Sequence, residues 1–76
     1  MTMKTTLELT RGELGILWRA LTEQEAYWEG EYERGRKAGF RDMKEADRVA
    51  TYRLETSRLV NRIETVIKEM DSVSNA

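Results

Sequence analysis

Neither cysteine nor histidine occurs anywhere in these 76 residues. Their absence removes disulfide crosslinks, the structural zinc sites built on those ligands, and the thiol and imidazole chemistry on which most small catalytic sites depend. Long apolar runs are missing too, and nothing approaches the eighteen consecutive residues of a membrane-spanning helix. The opening stretch, Met1-Thr2-Met3-Lys4-Thr5-Thr6-Leu7-Glu8, carries an acid where a secretion signal needs its apolar core. A cytoplasmic location is therefore expected. A chain this short has a thin core as a monomer, and with crosslinks and zinc removed the usual supplement left is self-association.

What the chain has is charge, unevenly placed. Its formal net charge is -1. Residues 1 to 33 nevertheless hold three basic and seven acidic side chains, residues 34 to 62 hold nine basic and four acidic, and the remainder holds one and three.

The segment from Asp42 to Met70 organises the rest. Val49, Tyr52, Thr56, Leu59, Val60, Ile63, Val66, Ile67 and Met70 recur at steps of three and four, the period that stacks side chains on one side of an α-helix. Such a helix is marginal in water unless its apolar face is covered. The first half of the chain supplies the cover. Leu14, Leu17, Trp18, Trp28, Tyr32, Gly35 and Gly39 fall within about 60° of Leu21 on a helical wheel. A second, narrower strip beside them carries Ile16, Ala20, Tyr27 and Ala38.

Helix boundaries follow from capping chemistry. Thr10 with Glu13 three places on makes a capping box, and Asp42 with Glu45 makes another. Gly39 suits a left-handed C-terminal cap, with Phe40 as the apolar residue of a Schellman ending. The expected domain is single, over 1–76: an arm at 3–9, helix one at 11–38 and helix two at 43–71. Helix one is carried through Gly30 and Gly35, each of which costs about 1 kcal/mol in a helix interior; a stop at either glycine is the alternative. Met3, Leu7 and Leu9 alternate with polar residues, so the arm reads as a short strand with one face covered. It either packs over the helix ends through Leu7 and Leu9 or pairs with the same strand of a second copy.

The link between the helices is short, which makes an antiparallel hairpin. Folding at Phe40 sets side by side residues whose numbers add to about 80: Trp28 with Tyr52, Leu21 with Leu59, and Trp18 with Ile63. It also brings Glu25 and Glu29 opposite Arg53, and Glu33 near Arg48. The second strip of helix one, with Leu54 on the far side of helix two, stays uncovered in one hairpin. The predicted fold class is accordingly all-α: an antiparallel two-helix hairpin with a short extended N-terminal arm or strand, dimerising into a four-helix bundle through Ile16, Ala20, Tyr27 and Leu54.

Candidate chemistry is sparse. Glu25, Glu29 and Glu33 stand four residues apart along a solvated face, with nothing to enclose them as general acid or base work requires. A carboxylate metal bundle would need histidine beside its inward-facing Glu. Thr56 and Ser57 lack a base, and Gly30, Gly35 and Gly39 lack the Lys-Ser/Thr ending of a phosphate loop. No enzyme, metal or cofactor is expected. The basic segment is the clearest feature: Arg34, Arg36, Lys37, Arg41, Lys44 and Arg48 concentrate positive charge around the turn. A stripe of that kind meets an acidic protein surface or phosphates. Against nucleic acid stand Glu45, Asp47 and Glu55 in the same helix and the missing third helix of a helix-turn-helix. The expected function is a non-catalytic binding or regulatory role, exerted by docking a charged helical face on a macromolecule. Nucleic-acid binding by the turn patch, or a purely structural self-assembling subunit, is the alternative. The expected partners are a second copy of the chain and a protein with an acidic surface, with no membrane. In brevity and charge the chain resembles accessory products of phage or mobile elements, a resemblance that carries no residue.

Overall fold

The computed structural model describes Lys4 and residues 6–74, the Ser74 side chain excepted. Two helices account for nearly all of it: α1 over Arg11–Ala38 and α2 over Met43–Ser74, packed against each other as one antiparallel hairpin.

Local chemistry sets where α1 begins. The Glu13 N–H donates to Thr10 Oγ1 at 3.1 Å while the Thr10 N–H donates to Glu13 Oε1 at 2.8 Å. Two of the four orphan amides at the helix start are satisfied by this reciprocal pair. At α2 the arrangement is looser. The Glu45 N–H donates to Asp42 Oδ1 at 2.8 Å, but the Glu45 carboxylate reaches past Asp42 to the Arg41 N–H at 3.1 Å. The second box is thus displaced by one residue, because the carboxylate ties down the turn itself.

Gly30 and Gly35 both lie inside α1, which runs through them unbroken. Helix formers on either side and cross-helix contacts offset the propensity cost of both glycines. The helix ends at Gly39, at φ 92° and ψ 153°. That is positive φ, but beyond the left-handed well and in a region that only glycine occupies readily. The Gly39 N–H closes a single bond of 2.7 Å to the Gly35 carbonyl, in place of the expected Schellman double closure. Phe40 still folds back, seating its ring on the bare backbone of Gly35, which is buried.

Along the seam Trp28 stacks on Tyr52 with centroids 4.9 Å apart and planes 19° off parallel. Three polar links cross the same seam on one flank. Trp18 Nε1 donates to Glu64 Oε1 at 3.1 Å, Arg53 Nε to Glu29 Oε1 at 2.7 Å, and Arg11 Nε to Asp71 Oδ1 at 2.9 Å. The residue numbers in each of these pairs add to 82, so on this flank the two rods keep one alignment from Glu29 and Arg53 to the open end. The last link holds Asp71 in place, and α2 continues to Ser74, past Met70 where the apolar period fades.

Two expectations are corrected. Lys4 and residues 6–10 form no strand, and Leu7 is 73% exposed, so it anchors nothing; Met3 and Thr5 lie outside the described residues. Among the described residues this segment has no ladder partner, and only Thr10 bonds onward, through its N–H and carbonyl into the start of α1. The core is also thinner than the wheel implied. Among the described hydrophobic residues only Leu14, Val49 and Val60 are buried, while Trp18 and Leu59 stay more than a third exposed. The molecule spans 50 × 30 × 15 Å, one helix layer thick.

Candidate interaction surface

The basic turn is largely matched by its own acids. Between Glu31 and Arg48 stand six cations and five carboxylates. Arg34 bonds Glu31 and lies 3.7 Å from Glu45; Arg41 lies 3.6 Å from Glu45 and 3.9 Å from Asp42; Arg36 lies 3.8 Å from Glu33. The hydrogen bond and charge of Glu31 raise the Arg34 guanidinium above its ordinary value, with Glu45 adding to the effect. It keeps its charge at any working pH. Arg48 was expected beside Glu33, but Glu33 pairs along its own helix with Arg36. Among the described residues Lys37, Lys44 and Arg48 are exposed and take part in no ion pair.

Glu29 is likewise engaged. It accepts from Arg53, whose guanidinium also lies over the Tyr32 ring at 4.3 Å from the centroid. Glu25 forms no ion pair with Arg53. Among the described residues no three potential metal ligands converge. The threonine hydroxyls serve their own backbone: Thr56 donates to the Tyr52 carbonyl at 2.6 Å and Thr65 to that of Asn61 at 3.0 Å. None of the described helices is long and apolar enough to cross a membrane.

The two flanks of the seam differ. One carries the three polar links. Around α1 from those links by nearly half a turn come Ile16, Ala20 and Tyr27, and around α2, by about a third of a turn on the matching side, come Tyr52, Leu59, Val66 and Val73. These are exposed: Ile16 at 73%, Tyr27 at 55%, and the α2 row from 39% at Leu59 to 76% at Val73. Between them Leu21, Thr56 and Leu59 line a shallow groove, with Glu55, Arg58 and Arg62 along one edge. Tyr27 meets the edge of Trp28 at 4.9 Å and 84°, which continues the apolar surface into the Trp28–Tyr52 stack.

Ile16, Ala20 and Tyr27 therefore share one face, whereas Leu54, 49% exposed, sits apart from them on the polar flank. Sequence reasoning assigned Tyr52 and Leu59 to the inner seam and passed over Val73. The signal that marks them is their spacing of seven residues, 52, 59, 66 and 73, which is a coiled-coil row. Comparison with protein family models, with characterised proteins and with solved structures returns no match to this chain.

Proposed function

We propose that this chain is a small non-catalytic binding protein of the cytoplasm, acting by laying one helical face against a macromolecular partner in a regulatory role. The observation that carries the reading is the uncovered apolar face formed by Ile16, Ala20 and Tyr27 on α1 with Tyr52, Leu59 and Val66 on α2. Soluble proteins rarely leave this many large apolar side chains exposed on one side without a use for them. Tyrosine and arginine, the residue types enriched at energetic centres of interfaces, lie on it and at its edge. The basic turn then has an orienting part. With Arg34, Arg36 and Arg41 matched by Glu31, Glu33 and Glu45, it contributes direction of approach to an acidic surface more than affinity.

The test is site-specific photocrosslinking in the native cell. A photoreactive residue replacing Ile16 or Tyr52 is expected to give adducts, and one replacing Leu54 or Lys68 on the polar flank is expected to give few. Adducts confined to the polar flank, or the same yield from both, would overturn the reading.

A further inference from the structure

We propose that the apolar face is closed by a second copy of the chain, packed antiparallel about a twofold axis that passes between Glu23 and Gln24 of α1 and between Arg58 and Leu59 of α2. This rests on the docking reading above and names the occupant of that surface.

The hairpin by itself is an incomplete domain. Stable domains bury their apolar faces between two layers of secondary structure, and this one has a single layer 15 Å thick. Its accessible surface is 6540 Å², whereas a compact protein of this mass exposes about 4,800 Å². The exposed Lys4 and residues 6–10 account for part of the surplus. The whole surplus is about twice the ~800 Å² that each partner gives to a standard interface.

The identity of the occupant is written in the heptads of α2. With Val49, Thr56, Ile63 and Met70 at a, the exposed row Tyr52, Leu59, Val66 and Val73 falls at d, and the flanking g row reads Arg48, Glu55, Arg62, Glu69. In an antiparallel pair g faces g. When the numbers of facing g residues add to 117, Arg48 meets Glu69 and Glu55 meets Arg62, each twice by symmetry. A slip of one heptad either way sets Arg62 against an arginine and Glu55 against a glutamate. A parallel pair would turn Arg48, Glu55, Arg62 and Glu69 toward Arg53, Val60, Ile67 and Ser74, which matches no charge and calls on Val60, already buried in the hairpin, and Arg53, already bonded to Glu29. Alternating sign along g thus selects one orientation and one register.

Helix α1 leads to the same axis independently. Glu13, Ala20, Tyr27 and Arg34 form its own seven-residue row beside the apolar face. Antiparallel to itself with numbers adding to 47, this row sets Glu13 against Arg34 and Ala20 against Tyr27, charge on charge and small against large. The two centres are 23.5 on α1 and 58.5 on α2, and they add to 82, the alignment that the three cross-seam links fix within one hairpin. One axis therefore serves both rows. In this assembly the arms lie at opposite ends of the bundle, so they do not pair with each other as strands.

Analytical ultracentrifugation with spin-label distances tests the proposal. The intact chain is expected at twice its monomer mass. Leu59→Lys should be monomeric, with its helical circular dichroism retained at low temperature, below its lowered melting point. Arg62→Glu should weaken association at least tenfold, and the swap Glu55→Arg with Arg62→Glu should restore it, because both facing partners change together. Labels at Ser72→Cys should lie about 40 Å apart along the bundle axis and those at Asn61→Cys about 8 Å; equal separations would mean a parallel pair and overturn the assignment. A strictly monomeric mass, or a swap that fails to restore, overturns it as well. If the photocrosslinks from Ile16 and Tyr52 then lead to a different protein, the docking reading stands while the second copy is rejected.

Discussion

The ring of Phe40 occupies the space that a side chain on Gly35 would need: a Cβ there would fall 2.0 Å from Cε1 and 2.2 Å from Cζ. Gly35→Ala has two opposed effects. It removes a helix-interior glycine, worth about 1 kcal/mol of stabilisation, and it drives a Cβ into the ring of a half-buried phenylalanine, which forfeits about half of the ~1.5–3 kcal/mol of a full burial and adds the strain of overpacking, about 1 kcal/mol or more. The second is larger, so a net loss of about 1 kcal/mol is expected in urea unfolding. In a Phe40→Ala background the same change should turn stabilising, giving a coupling that a double-mutant cycle reads directly. Gly30 is the control. A Cβ at Gly30 meets nothing within 4 Å, and Gly30→Ala should stabilise by up to about 1 kcal/mol. Equal effects at the two glycines would refute the Phe40 seat.

Arg53 holds two partners with one guanidinium, Glu29 at 2.7 Å and the Tyr32 ring at 4.3 Å. A planar, delocalised cation does both, and an ammonium on a flexible stem does not. Because both ion-pair partners are more than a third exposed, solvent screening limits the link to Glu29 to about 1 kcal/mol at most. The stack over Tyr32 adds about 0.5–1 kcal/mol. Arg53→Lys should therefore lose about 0.5–1 kcal/mol, chiefly the stack. That loss should persist at high salt, where the ion pair is screened and the apolar contact is not. A salt-sensitive loss would assign the effect to Glu29 instead.

How much of this could be seen in the residues alone depended on whether the cause was local. The capping box at Thr10 and Glu13 is chemistry within four residues, and its spacing announces it. The hairpin was legible because Trp28 and Tyr52, Leu21 and Leu59 come into step when the chain is folded at Phe40. Of the flank left wet, the α1 half was legible as the strip of Ile16, Ala20 and Tyr27, but the α2 half was not, since a helical wheel places Tyr52 and Leu59 near the seam without saying which side of it the neighbour covers. Arg48 illustrates a different limit. Its expected partner Glu33 had a nearer cation, Arg36, one turn along the same helix, and local pairing won. The strand reading of the arm failed for a third reason. Alternation over seven residues marks a strand only where something else supplies the ladder.

Ion pairs at the turn bear on nucleic acid. Of the six cations proposed as a patch, Arg34, Arg36 and Arg41 already face carboxylates. Phosphate binding would have to draw on Lys37, Lys44 and Arg48. Three phosphate contacts give a salt slope no steeper than about -2.7 on double-stranded DNA, so binding should be weak at low salt and negligible at physiological ionic strength. Lys44→Glu with Arg48→Glu should abolish it, whereas Arg34→Glu should change it little. A slope beyond about -5, or strong dependence on Arg34, would restore the nucleic-acid reading.

Three buried hydrophobic residues among those described are few for a chain of this length. The apolar burial available to one hairpin barely offsets the entropy of ordering it. Stability drawn instead from a second copy must depend on concentration, because dilution favours the separated, unfolded chains by mass action. Each tenfold dilution changes the balance by about 1.4 kcal/mol. For an assembly of about 150 residues that lowers the melting temperature by about 3–5 °C. Thermal melts over three decades of concentration are therefore expected to span about 10–15 °C for the intact chain. Leu59→Lys should melt low and at one temperature throughout, since its hairpin has no second layer left to lose. An intact chain whose melting point is the same at every concentration would instead show the single layer to be stable on its own.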